Sequence, residues 1–239
     1  MSRTRSQQRD YEVRRAHKRD VREVRRLARR RRRITITIVA AALLIVALVI
    51  ALLVLNRPAS DLPPPRATSG VPSPDLAEGR NWQATLTTSE GDIELELFGA
   101  EAPQATSNFI QLARDGFFDA TQCHRLLPDS LLQCGDPTAT GTGGPGYSFG
   151  PIENAPSTDM YPAGTLAMAR RGGDAESMGS QFFLVFADVQ LPADEAGGYS
   201  VFGRITSGLD ILERVGAEGT VEGGSQPLLP VTIEGVTVS

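Results

Sequence analysis

From Trp82 onward, apolar side chains return at every second position in short runs, and the runs stop at Gly, Pro, Asp or Ser. That period belongs to strands, because successive side chains on a strand point to opposite faces. Ala84–Thr88 and Ile93–Leu97 both alternate, and Ser89-Glu90-Gly91-Asp92 between them carries turn chemistry, so the two are expected to form a hairpin. Further strands are expected at Gln122–Leu127, Leu131–Gln133, Thr165–Met168, Phe182–Phe186, Val201–Ile205 and Leu229–Val238. Two helices interrupt them. Pro103 suits a first helical turn, Phe109, Ile110, Leu112 and Ala113 follow at helical spacing, and Gly116 fits a left-handed stop. A second helix is expected near Leu209–Val215, after Ser207-Gly208. Many short strands with few helices imply a mainly β fold, a closed antiparallel barrel that leaves no sheet edge exposed.

The chain ahead of this region reads differently. Ile34–Leu55 is 22 residues without a charge or a Pro; at ~1.5 Å per residue it matches the ~30 Å hydrocarbon core, and a single transmembrane helix is expected there. Residues 1–33 carry fifteen Lys and Arg against four Asp and Glu, while the whole chain has a formal net charge of −4, so a basic tail precedes an acidic body. Arg29–Arg33 abut the apolar run on one side, and only Arg57 and Arg66 follow closely on the other. The positive-inside rule then keeps 1–33 in the cytoplasm, as a tail drawn to anionic lipid, and places the body outside the cell membrane. No base-reading motif accompanies the arginines, and no nucleic-acid partner is expected. Residues 56–80 contain six prolines and no apolar period, which reads as an extended linker, leaving 81–239 as the folded domain.

Several chemistries are disfavoured by the residues themselves. Gly146-Tyr147-Ser148-Phe149-Gly150 has the spacing of a nucleophile elbow, but a Gly- and Pro-rich loop precedes it, and His124 comes before the Ser when hydrolase order requires it last. Gly141-Thr142-Gly143-Gly144-Pro145-Gly146 lacks the Gly-Lys-Ser/Thr ending of a phosphate loop. With one His and two Cys in the body there is no standard ligand set, so neither a metal nor another cofactor is expected.

What the body does contain is an ordered string: His124-Arg125-Leu126, Gln133-Cys134-Gly135-Asp136, Gly141-Thr142-Gly143-Gly144, Leu166-Ala167-Met168-Ala169, Gly179-Ser180-Gln181-Phe182-Phe183 and Val201-Phe202-Gly203-Arg204. In that order the motifs resemble the cyclophilin family of peptidyl-prolyl isomerases, over about residues 82 to 239. The resemblance implies an eight-stranded barrel with a helix capping each open end, and isomerisation of X-Pro bonds in unfolded or exported polypeptides, with no cofactor. A monomer is expected. It gives Arg125 the role of catalytic donor and Gln133 that of orienting Arg125 and the substrate carbonyl. Leu131, Phe183 and Leu191 would line the proline pocket, with Ala169, Arg170 and Gln181 along the peptide groove. Three positions depart from the family pattern. Ser130 stands where Phe is common and would thin the pocket wall, Gln190 beside Leu191 stands where Trp is common, and Tyr199 stands where many members have His. Phe182, as the neighbour of Phe183, is expected to face the core.

The chemistry fits the residue type. At the twisted transition state the prolyl nitrogen regains its lone pair and becomes a hydrogen-bond acceptor, so a fixed guanidinium beside it binds that state better than either planar isomer. The alternative is a binding module that holds Pro segments with little or no turnover. A two-residue turn at Pro128-Asp129 would set Cys123 opposite Cys134 but Gln133 opposite His124, on the face away from Arg125. A disulfide and the Arg–Gln pair coexist only if a bulge shifts the register, and the pairing stays open at this point.

Overall fold

The structure is a computed structural model that describes residues 70–239. Eleven strands and two α-helices are present among them: β1 Asn81–Thr88, β2 Gly91–Phe98, α1 Pro103–Arg114, β3 Thr121–Gln122, β4 Arg125–Leu127, β5 Leu131–Cys134, β6 Met160–Tyr161, β7 Thr165–Met168, β8 Phe182–Val185, β9 Val189–Gln190, β10 Val201–Ser207, α2 Leu209–Glu218 and β11 Thr232–Val238. Nine of the strands form one antiparallel sheet in the order β3-β11-β1-β2-β10-β7-β8-β5-β4, while β6 and β9 pair separately.

The expected hairpin is β1–β2, with Leu86 opposite Ile93, Ala84 opposite Leu95 and Trp82 opposite Leu97. All six side chains point into the core, which is how one alternating pattern on each strand fixes the register: a slip of one residue would turn them all outward. Helix α1 adds Phe109, Ile110 and Leu112. Phe109 lies among Phe118, Phe182 and Phe202 with ring centroids 5.1–5.5 Å away. The N-cap of α1, Ala102, offers no side-chain acceptor; the Glu153 carboxylate replaces it, accepting the N–H groups of Gln104 at 3.0 Å and Ala105 at 2.9 Å. Helix α2 starts after Gly208, whose φ of 86° is left-handed and whose missing Cβ would lie 2.7 Å from the Asp92 carbonyl oxygen.

One expectation is corrected and a second is left without support. The sheet is a curled half-barrel of nine strands and not an eight-stranded closed barrel, because its end strands β3 and β4 have no ladder between them. They are successive pieces of one chain run: the Cys123 N–H goes to the Val231 carbonyl and the His124 N–H to the Gln133 carbonyl, so the run leaves one edge and joins the other without pairing to itself. The single-pass placement in the cell membrane finds no support among the described residues, none of whose helices is long and apolar enough to cross a membrane. The tail expected at 1–33 and the transmembrane helix expected at 34–55 lie outside the described residues.

Packing also begins ahead of residue 81. Pro74–Ala77 is a 3-10 helix capped by Ser73, and Ala77 is fully buried. The carbonyls of Pro72 and Pro74 accept hydrogen bonds from Gln104 and Ser107 of α1, and the Ala77 carbonyl accepts the Trp82 indole N–H at 2.9 Å.

Candidate active site

The site is built on the β4–β5 hairpin. Its loop is Pro128–Ser130, three residues, because Leu127 pairs with Leu131 and Arg125 with Gln133. Directly opposed residues share a face, so the loop length brings the guanidinium and the amide together. Arg125 Nη1 donates to Gln133 Oε1 at 3.2 Å, Gln133 Nε2 to Gln181 Oε1 at 2.8 Å, and Gln181 Nε2 to the Gly143 carbonyl at 2.9 Å. This relay fixes the amide orientation of both glutamines and ties Arg125 to two other parts of the fold. Arg125 itself is exposed and, among the described residues, pairs with no carboxylate.

The expected two-residue turn is corrected by this register, and the bulge it called for is present. Strict pairing would set Cys134 against His124, yet Cys134 is bonded to Cys123. His124 is the extra residue, and the disulfide and the Arg125–Gln133 pair coexist.

Beside Arg125 lies an apolar patch separate from the main core: Leu131, Tyr161, Ala167, Phe183 and Val185, with Ala169, Leu191 and Tyr199 packed against it. Phe183 sits between Gln133 on β5 and Ala167 on β7. Its ring meets that of Tyr199 edge-on, with centroids 5.4 Å apart at 86°. Phe182, its neighbour, points into the core against Phe109 and Phe118. Arg125, Gln133, Leu131, Phe183, Leu191 and Tyr199 all line one cleft of about 370 Å³. A second compartment of about 630 Å³, bounded by Gln181 and the 141–148 loop, shares Gln133, Gly141, Ala169 and Arg170 with the first. Nine of the ten expected site residues therefore converge on one groove. Ser130 does not: it is buried within the hairpin loop, its carbonyl accepting the N–H groups of Phe186 at 2.8 Å and Ala187 at 3.3 Å.

Two titratable groups that the sequence reading gave no role shape the site. Asp136 is fully buried; its carboxylate accepts Thr138 N–H at 2.7 Å, Thr138 Oγ1–H at 2.8 Å, and the N–H groups of Thr140, Gly141 and Gly143 at 3.1, 2.6 and 3.1 Å. Burial alone would raise its pKa, but these bonds, those from Thr138 foremost, outweigh it and hold the carboxyl below the usual range. The readable signal was an Asp heading a Thr- and Gly-rich loop. His124 is buried with neither ring nitrogen hydrogen-bonded. Burial, reinforced by the Arg125 charge and opposed by Asp136, pushes its pKa down. Of the two arginines lining the cleft, Arg170 is paired with Asp194, and Arg125 pairs with no carboxylate among the described residues.

An exposed guanidinium braced at the rim of an apolar cleft can hold a ring in place and donate to an atom that gains lone-pair density as the bond beside it twists. The cleft thus separates a gripping wall from a polar rim.

Residues 83–238 match the model of the family described as cyclophilin type peptidyl-prolyl cis-trans isomerase/CLD. The chain is 40% identical over 195 residues to the probable peptidyl-prolyl cis-trans isomerase B of Mycobacterium leprae, covering 75% of this chain and 62% of that one. It is 44% identical over 134 residues to a peptidyl-prolyl cis-trans isomerase of Helicobacter pylori, covering 55% and 78%. Against the mycobacterial proteins of M. leprae and M. tuberculosis the match spans 62% and 53% of the relative's length. Among solved structures, a Cryptosporidium parvum cyclophilin type peptidyl-prolyl cis-trans isomerase superposes with a TM-score of 0.59 at 28% identity, covering 67% of this chain and 98% of that one.

Proposed function

The chain belongs to the cyclophilin-type peptidyl-prolyl cis-trans isomerase family, and from that premise we propose that it isomerises X-Pro bonds in unfolded polypeptides, with Arg125 as the group that stabilises the twisted amide. The observation that carries this reading is the placement of Arg125 opposite Gln133 at the rim of the cleft walled by Leu131, Phe183, Leu191 and Tyr199. The proline ring enters the apolar cleft and is held still. The segment before it rotates, the prolyl nitrogen becomes pyramidal, and a guanidinium N–H donates to its lone pair. Gln133 holds the guanidinium through its carbonyl oxygen, while its own N–H is committed to Gln181, so the donor is in position before the substrate arrives.

Proline peptides suit such a site, and the Cryptosporidium parvum relative was also solved in the presence of the dipeptide Ala-Pro. A disulfide beside the catalytic pair suits a protein that meets its substrates where thiols oxidise, which supports exported chains as substrates.

The deciding experiment measures cis/trans exchange in a short Pro peptide with the wild-type chain and with Arg125→Ala. Loss of one preorganised donor predicts a fall in rate of at least ~100-fold. Equal rates in the two proteins would overturn the mechanism, and tight peptide binding without acceleration by the wild type would mark a binding module instead.

A further inference from the structure

We propose that Arg170 is a positioning residue, a clamp that holds the segment 194–199 so that Tyr199 forms the far wall of the proline cleft; this rests on the prolyl-isomerase reading above. The family resemblance puts Arg170 along the peptide groove, in contact with substrate. Its geometry assigns it elsewhere. A guanidinium has five N–H donors, and all five are committed inside the protein. Nε donates to the Gly198 carbonyl at 2.8 Å. Nη1 donates to Asp194 Oδ2 at 2.9 Å and to the Arg171 carbonyl at 3.0 Å. Nη2 donates to Asp194 Oδ1 at 2.8 Å and to the Gly197 carbonyl. The side chain is 1% exposed. No donor is left for a substrate carbonyl.

The bonds tie together three pieces of chain that share no strand. Asp194, held by the fork of Arg170, also accepts the N–H groups of Gly173 and Ala196, each at 2.9 Å. One bidentate pair thus fixes the turn after Arg170 and both sides of the 194–198 loop. Tyr199 comes directly after that loop. The Arg170 guanidinium carbon lies 5.0 Å from the centroid of its ring, within cation–π range. The Tyr199 backbone N–H donates to the buried Tyr161 hydroxyl at 2.8 Å, and the ring edge meets Phe183. The wall of the cleft is therefore held by a guanidinium whose donors are all committed inside the protein. A lysine cannot replace it, since an ammonium has three donors and no planar fork.

The test is a double-mutant cycle on the full chain, read as KM and kcat for a short peptide with one Ala-Pro bond, with Arg125→Ala in the same series. Arg170→Gln is expected to raise KM about tenfold with kcat within about twofold of wild type, the signature of lost binding shared by ground and transition states. Arg170→Lys should raise KM at least about threefold, and it serves as the test if Arg170→Gln does not fold. If Arg170 acts through Tyr199, either substitution in a Tyr199→Ala background should add less than about twofold, because the two residues work as one unit. Unchanged KM in Arg170→Lys, or full additivity with Tyr199→Ala, overturns the clamp. Failure of the catalytic reading shows elsewhere, as an unchanged kcat in Arg125→Ala.

Discussion

At Ser130 the structure reverses what the residue type implies. A serine in place of an aromatic reads as a thinner pocket wall, and a Ser130→Phe substitution would then improve the grip. Ser130 is instead buried within the hairpin loop and does not line the cleft. A phenyl ring there overpacks the loop, so Ser130→Phe should lower stability by about 1–3 kcal/mol in a denaturant titration, with no gain in kcat/KM. His124 gives a second prediction at this scale. Its folded pKa lies below the ordinary 6.5, so below that pH the unfolded chain binds more protons than the fold does. Its contribution is therefore complete above about pH 6.5 and is lost progressively as pH falls toward the folded value. Melting temperatures of wild type and His124→Leu should diverge as pH falls below about 6.5, with the wild type losing more. Parallel curves would place the titration elsewhere.

Among the elements, the β4–β5 hairpin and the loop after it carry the site. The disulfide spans a sequence separation of 11, and a closed loop of that size is worth about 3 kcal/mol on chain entropy. The double variant Cys123→Ala/Cys134→Ala should unfold earlier in urea by that amount, and its rate should fall as the Arg125–Gln133 register loosens. An unchanged midpoint would mean the hairpin is held without it. Asp136 gathers residues 138–143 and so places the Gly143 carbonyl, the last acceptor of the relay from Arg125. Its folded pKa is depressed, so its stabilisation is present above the unfolded value of about 3.9 and is lost as pH falls through the lower folded value. Asp136→Asn should melt below wild type at neutral pH, and the gap should close only below about pH 4.

For the molecule as a whole, the fold extends back past the first strand. A fragment starting at residue 81 removes the carbonyl partners of Trp82, Gln104 and Ser107, and it should be less stable than one starting at residue 70 by at least about 2 kcal/mol. Equal melting temperatures would show that those partners are replaced by solvent. The alternation of Trp82–Leu97, the α1 spacing and the order of the motifs were legible because they are periodic or local: strand faces, helix faces and turn residues are set by neighbours a few positions away. Of the nine expected residues that line the groove, Arg125, Leu131, Gln133 and Phe183 stand on strands and Ala169, Arg170, Gln181, Leu191 and Tyr199 just outside them; the order of the motifs, not strand period, pointed to all nine. The rest was decided only by tertiary structure. Loop length at Pro128–Ser130 and the bulge at His124 set which side chains face each other, the open edge between β3 and β4 depends on partners far along the chain, and the saturation of Arg170 depends on Asp194, Gly197 and Gly198. A sequence names the donors a residue brings, but which of them remain free is fixed by groups that reach it only after folding.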